Sequence, residues 1–237
     1  VTLHDYKRVI GELYENGLMR VCLTGGDPFS NKDAWSIIEY LFEKDIAITI
    51  YTNGISIVNS VERLSNYFPR VVGISIYSGL PSEHDAITRI PGSWEKSISV
   101  VEQLSEFAIP TNLKCCIMRP NLKHYYGVSE LANKYGAIAQ YEISVTDSLE
   151  GDKCVSKYLR LSPEQMEIVL RDENIPLYVG KEAPNFGGQK RPLDSGPCGA
   201  GENSFCLTPN GDFIPCCAFH LVLGNVLNES INDIMSN

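Results

Sequence analysis

Thiols and strand-end motifs carry most of the chemistry this sequence offers. Eight cysteines are present, and Cys154, Cys198, Cys206, Cys216 and Cys217 stand in polar or Gly/Pro-rich surroundings, four of them within the final forty residues. Thiolates are soft ligands suited to zinc or iron–sulfur clusters. Twelve residues separate Cys198 from Gly211 and four separate Gly211 from Cys216, a Cys/Gly/Cys frame around Pro209-Asn210-Gly211-Asp212. Asn-Gly between two β-like runs is a strong hairpin signal. A zinc ribbon calls for a CxxC pair, and none occurs. Adjacent Cys216 and Cys217 point to opposite faces of a strand, so one reads as a ligand and the other as packing. Whether Cys206, Cys217 or His220 binds metal stays open, and a lone His in an apolar run reads first as structural. Cys22, Cys115 and Cys116 lie inside apolar runs and read as buried small hydrophobes. An even cysteine count invites disulfides, but disulfide-dense domains are short and core-poor.

Further upstream, Thr24-Gly25-Gly26-Asp27-Pro28 follows an apolar run. Paired glycines after a strand let the backbone approach a ligand and take positive φ. The Asp carboxylate there could hold an ammonium group, although a plain strand-to-helix turn explains the same residues. Asn53 in Thr52-Asn53-Gly54 ends the next run, again in turn chemistry. Ser75 and Tyr77 alternate on a third run and Lys114 and Cys116 on a fourth, and the pleat puts each pair on one face. A Ser or Lys facing a barrel interior is costly unless paired or bound; solvent exposure is the simpler setting for Lys114. Tyr77, Glu142, Asp147 and Cys154 are further candidates for substrate contact.

These residues need elements to position them. Thr2 caps a first helix with Asp5 as capping-box partner; Val9, Ile10 and Leu13 form its apolar stripe and Gly17 ends it. Strands are expected over residues 18–23, 46–51, 71–77, 112–118 and 138–145, with helices between them and a polar loop over 78–91. Nearly continuous apolar strands alternating with helices indicate parallel βα units with both faces covered. In such barrels or doubly wound sheets, chemistry gathers at the carboxyl ends of the strands. After Thr146 the pattern breaks. Residues 147–157 read as polar loop, Ser162-Pro163 starts a short helix, residues 180–197 read as a linker or lid, and a helix begins near Ser230.

The chain has 237 residues, 43% apolar and 21% charged, with a net charge of −9. That balance argues against a nucleic-acid partner, which usually needs a basic surface. No apolar run approaches the ~20 residues of a membrane span. The opening residues read as an amphipathic helix rather than a signal peptide. A cytoplasmic setting is expected.

The ordered set Leu23-Thr-Gly-Gly-Asp-Pro28, Tyr51-Thr-Asn-Gly54, Ile74-Ser-Ile-Tyr77, His84-Asp-Ala-Ile-Thr88 with Pro91-Gly-Ser-Trp-Glu95, and Asn112-Leu-Lys114 resembles the radical S-adenosylmethionine (radical SAM) superfamily. The tail Cys198-Gly-Ala-Gly201, Gly211, Pro215-Cys216 and Gly224-Asn225-Val226 resembles the start of its SPASM extension. The resemblance implies an α/β fold: a partial (β/α)6 TIM-like barrel with a small C-terminal β-hairpin, cysteine-containing extension. Residues 1–146 would be the partial barrel without its first strand and cluster loop, 147–197 a linker and helix region, and 198–237 the start of the auxiliary-cluster domain.

It also implies a catalytic [4Fe–4S] cluster, S-adenosylmethionine and one or more auxiliary iron–sulfur clusters. Gly25, Gly26 and Asp27 would bind the methionine amino group, Thr24 would support that turn, and Asn53 and Ser75 would lie near the methionine and ribose. Cys198 and Cys216 would be auxiliary-cluster ligands. The expected activity is reductive cleavage of S-adenosylmethionine to modify a peptide or protein. The expected partners are that substrate and a flavodoxin or ferredoxin, with no nucleic acid and no membrane. Asp27 replaces the commoner Glu, and Arg89 stands where Gly is usual. The CxxxCxxC loop that binds the catalytic cluster is absent, as are the later SPASM cysteines. Both are read as lying beyond these residues, which alone would be inactive. Two other classes fit less of the pattern: a noncatalytic barrel that binds a peptide or partner protein, and a barrel enzyme with a zinc tail.

Overall fold

The computed structural model describes residues 1–147, 154–173, 175 and 198–236. The chain divides into two compact units, one of residues 20–183 and one of residues 1–19 with 184–237. In chain order the elements begin α1 (Leu3–Glu15), β1 (Arg20–Leu23), α2 (Ala34–Glu43), β2 (Ala47–Thr52), α3 (Val61–Ser65), β3 (Val71–Ser75), α4 (Pro81–Thr88), α5 (Ser93–Glu106) and β4 (Thr111–Cys116). They continue with α6 (Gly127–Tyr135), β5 (Ile138–Glu142), α7 (Cys154–Leu159), α8 (Pro163–Leu170), β6 (Cys206–Leu207), β7 (Asp212–Ile214), β8 (Gly224–Asn225) and α9 (Ile231–Ser236).

In the larger unit, β1 to β5 form one parallel sheet in sequential order. Sequential parallel strands with intervening helices are the βα repeat read from the sequence. The register sorts the side chains into two sets. Ile48, Ile50, Val72, Ile74, Leu113, Cys115 and Tyr141 are buried on one face, where they join the apolar sides of the helices, including Ile38, Leu41, Val101 and Leu104. Cys22, Tyr51, Gly73, Ser75, Asn112, Lys114, Cys116, Gln140 and Glu142 share the other.

That second face corrects the expectation of strands covered on both sides. Cys22 is exposed and Cys116 half-buried, so of the three strand cysteines only Cys115 is a buried small hydrophobe. A parallel sheet that leaves one face polar is built to close around something other than a helix. Two loops expected from polarity contain helix instead. The expected loop over 78–91 holds α4, which Pro81 starts at its first turn. It buries only His84, so its sequence shows little apolar stripe. Residues 154–157 of the expected loop 147–157 belong to α7. The start at Ser162 is as read, with Ser162 and Gln165 closing a capping box. The expected linker over 180–197 lies outside the described residues.

The smaller unit pairs α1 with the tail. Thr2 and Asp5 form the expected capping box, Thr2 N donating to Asp5 Oδ2 at 2.8 Å and Asp5 N to Thr2 Oγ1 at 3.3 Å. β6, β7 and β8 form an antiparallel sheet. Val9 of α1 is buried with Phe213, Val226, Ile231 and Ile234, and Leu13, Phe205 and Leu207 pack against them. Glu12 Oε2 accepts the Ile231 amide at 2.7 Å, and Arg8 donates to the Val226 carbonyl. The expected 1–146 segment grouped this helix with the sheet by chain order; its buried contacts group it with the tail. Gly211 has φ +90°, and a Cβ there would lie 2.9 Å from Leu227 Cγ and 3.0 Å from Asn225 Oδ1. Both conditions demand glycine at the centre of the Cys/Gly/Cys frame.

Candidate functional site

The loop after β1 opens at the carboxyl end of the sheet. Gly25 has φ +115°, and nothing lies within 4 Å of where a Cβ would sit on Gly25 or Gly26. The two residues form an exposed backbone ledge, and Thr24 beside them is exposed as well. Asp27 fastens this ledge. Its Oδ2 accepts the Thr52 hydroxyl at 2.5 Å and the Asn53 amide at 3.0 Å, while Oδ1 accepts the Phe29 amide at 3.0 Å. One carboxylate therefore ties the end of β1 to the end of β2. A carboxylate offers about four acceptor positions, so room remains for one more donor.

Asn53 is equally engaged. Its Oδ1 accepts the Ile55 amide at 2.8 Å and its carbonyl accepts the Ser97 hydroxyl at 2.7 Å. The structure thus joins Asp27, Thr52 and Asn53 in one network, with Gly25 and Gly26 beside it. Ser75 stands apart at the end of β3, in register with Lys114 of β4. The Tyr77 phenol is pushed up by burial and pulled back by the nearby Ser75 hydroxyl.

Lys114 is what the sequence reading undervalued. It is half-buried on the polar face, and its Nζ lies 3.7 Å from the centroid of the Tyr51 ring. Burial pulls its pKa down, while the charges of Cys22 and Glu142 push it back up. Cys116 is held as a thiol, pushed up to about 11 by burial first and by Glu142 second. The signal for Lys114 was present as a charged residue within an apolar run at the same parity as Ser75.

The His84-Asp85 motif braces this end of the sheet. His84 is buried, accepts the Tyr77 amide on Nδ1 at 3.2 Å and stacks on the Tyr77 ring at 5.6 Å. Burial pulls its pKa down, against the charges of Asp85 and Glu95. Asp85 accepts the Gly92 amide at 2.6 Å, the Trp94 amide at 2.9 Å and the Ser93 hydroxyl at 2.9 Å. These donors, the Trp94 amide foremost, hold its carboxyl below the usual range. Arg89 follows α4 with φ +60°, so it takes the left-handed conformation that favours glycine.

In the smaller unit, Cys216 Sγ accepts the Ala218 amide at 3.3 Å. Cys206 is half-buried, and burial, followed by the charge of Cys217, pushes its thiol up. Cys198 and Cys217 are exposed, as is His220, which departs from the structural setting expected of it. Among the described residues no three His, Cys, Asp or Glu side chains converge on a single metal ion.

A parallel sheet with one polar face and an open glycine ledge at its carboxyl edge define the larger unit as an α/β fold, and a thiol-bearing hairpin marks the smaller one. The chain belongs to the radical SAM superfamily, whose sequence model matches residues 1–125, and its residues 198–237 match the SPASM iron–sulfur cluster-binding domain. It is 24% identical to the antilisterial bacteriocin subtilosin biosynthesis protein AlbA of Bacillus subtilis (strain 168), over 100% of this chain and 53% of that protein. It is 22% identical to the AdoMet-dependent heme synthase of Methanosarcina barkeri (strain Fusaro / DSM 804), over 100% of this chain and 74% of that protein. Streptococcus suis SuiB shares the fold with a TM-score of 0.71 at 16% identity, over 99% of this chain and 59% of that one. The same protein bound to precursor peptide SuiA gives 0.65 at 15% identity, over 99% and 57%. The chain thus spans about half the length of AlbA.

The family brings S-adenosylmethionine and a [4Fe–4S] cluster, and the SPASM match brings auxiliary iron–sulfur clusters. The residues present offer open backbone for the first ligand and two separate thiols, but no assembled cluster site among the described residues. The open ledge at Gly25 and Gly26 leaves room for a ligand where any side chain would intrude. Cys198 and Cys216 are free thiols, and the amide donated to Cys216 is the kind of hydrogen bond that tunes cluster sulfurs.

Proposed function

We propose that the whole protein is a radical SAM enzyme that modifies a peptide or protein, in the manner of a ribosomal-peptide maturase. The observation that carries this reading is the glycine ledge fastened by Asp27 above a polar sheet face. Gly25 and Gly26 present backbone to the methionine amino group, and Asp27 adds its remaining acceptor position. Thr24 supports that turn. Asn53, fixed by Asp27 and Ser97, and Ser75, at the end of β3, border the methionine and ribose. When bound, a reduced cluster and S-adenosylmethionine would supply radical chemistry able to remove a hydrogen from the substrate. The polar face lines the ligand side of the sheet, and Cys198 and Cys216 hold an auxiliary cluster.

A peptide substrate is supported by two likenesses: AlbA is a bacteriocin biosynthesis protein, and SuiB has been solved with a precursor peptide. The ligands of the catalytic cluster are cysteines outside these residues. Electrons come from a flavodoxin or ferredoxin, and the cytoplasm is the compartment that keeps such thiols and clusters reduced. No helix among the described residues is long and apolar enough to cross a membrane. An acidic chain has little use for nucleic acid.

Anaerobic reconstitution of the full-length protein tests the reading. A brown protein that releases 5′-deoxyadenosine on reduction, faster with the peptide encoded beside its gene and with a mass change in that peptide, is the expected result. A reconstituted protein that stays colourless, or releases none, overturns it.

A further inference from the structure

Lys114 sits on the polar face in an arrangement that a space-filling role does not require. Tyr51 is on β2 and Lys114 on β4, with β3 between them; Tyr51 is in register with Gly73, and Gly73 with Asn112. The lysine stem therefore crosses β3 to bring its ammonium 3.7 Å from the Tyr51 ring centroid. It crosses at Gly73, where a Cβ would lie 2.7 Å from Tyr51 Cδ1 and 2.9 Å from Lys114 Cδ. The missing side chain makes the crossing possible.

Among the described residues no carboxylate reaches ion-pair distance of this charge, although Glu142 on the same face is near enough to favour it. None of the ion pairs among the described residues includes Lys114. Glu142, on the same face, turns its Oε1 to the amides of Ile143 at 3.0 Å and Ser144 at 2.8 Å. An ammonium has three N–H donors, and one aromatic face engages part of that capacity. No hydrogen bond is formed by this ammonium among the described residues, and Ser75 is its register neighbour on β3. One half-buried cation matches a monoanion. Among the described strand residues of this face the other cation is Arg20, exposed at the opposite end of β1, so a phosphate bound at Lys114 would meet one charge from these strands.

We propose that Lys114, held by Tyr51 across Gly73, is a carboxylate-binding group on the floor of the half-barrel. This deepens the proposed function and rests on its reading of the polar face as the ligand side. The carboxylate has two available sources: the methionine end of S-adenosylmethionine, or an acidic group of the peptide.

The test uses the reconstituted full-length enzyme and its Lys114→Gln and Lys114→Arg variants. Equilibrium dialysis measures binding of S-adenosylmethionine and of decarboxylated S-adenosylmethionine. Steady-state kinetics measure KM for the gene-adjacent peptide and for that peptide with its acidic residues changed to amides. Iron content and the visible cluster spectrum are expected to be unchanged in both variants. If the cofactor supplies the carboxylate, Lys114→Gln weakens S-adenosylmethionine about tenfold or more, as for one charged hydrogen bond, and abolishes preference over the decarboxylated form. If the peptide supplies it, cofactor binding holds, KM rises by about the same factor with kcat retained, and the amide peptide erases the difference. Lys114→Arg recovers part of either loss. Both affinities within twofold of wild type in Lys114→Gln overturn the proposal. Wild-type release of 5′-deoxyadenosine tests the proposed function separately.

Discussion

The two faces of the parallel sheet are made by the same strands and differ in every property that matters. On one face Ile50, Ile74 and Leu113 are fully buried. On the other, Cys22, Ser75, Lys114 and Glu142 remain at least partly open. The first face is held by removal of apolar area from water. The second is held by specific polar contacts that are worth less to folding and more to binding. Adjacent residues Leu113 and Lys114 belong to opposite faces, so each mutation has a built-in control one position away.

The largest expected effect is on the covered face. Leu113→Ala should lower unfolding free energy by about 3 kcal/mol, within the range for large-to-small core changes, in urea titrations. A loss under about 1 kcal/mol would break the division between faces. Asp27→Ala removes the acceptor shared by Thr52, Asn53 and Phe29. It should cost about 2 kcal/mol through stranded donors and also weaken S-adenosylmethionine binding, which Leu113→Ala should leave intact in the folded fraction.

His84 links the faces through Tyr77. Burial holds its folded pKa below the ordinary value, so the neutral form favours folding. Stability from this residue is whole above about pH 6.5 and falls as pH drops below that value toward the folded pKa. Melting temperature should decline between pH 7.5 and 5.5, and His84→Gln should flatten that decline.

Smaller effects come from the turns before the strands. Ala108 precedes β4 with φ +53°, and Ala108→Gly should stabilise by roughly 0.5 kcal/mol, as relief of left-handed strain exceeds added chain entropy. The smallest is Lys114→Gln, expected within roughly 0.5 kcal/mol of wild type by denaturant midpoint because the site is wet. A large loss there would make Lys114 part of the core and blur the comparison.

Much of this was legible in the sequence, for physical reasons. Apolar runs marked the strands because one face of each is always covered, and Thr2 with Asp5 marked the first helix because capping is local. Gly25, Gly26 and Asp27, which a plain strand-to-helix turn explains as well, stood out only as one member of an ordered set of strand-end motifs. The polar face was harder to see. Its residues occupy alternate positions between isoleucines, valines and leucines, so Cys22 passed for a core residue and Lys114 for a surface one. The short helix α4 escaped because it buries so little. The closeness of Asp27 to Thr52 and Asn53 depends on strand register, which no local pattern encodes. Likewise, the packing of α1 with the tail joins the two ends of the chain.

Gly73 has a consequence for descent as well as for binding. Its place is set by two neighbours rather than by its own backbone, since it leaves no room for a methyl group between Tyr51 and Lys114. A relative that gains a side chain there must give up the ring, the cation or the contact between them. Among homologous sequences, positions 51, 73 and 114 should therefore change together, and a lineage that kept two of the three while altering the third should show the missing volume restored at the strand between.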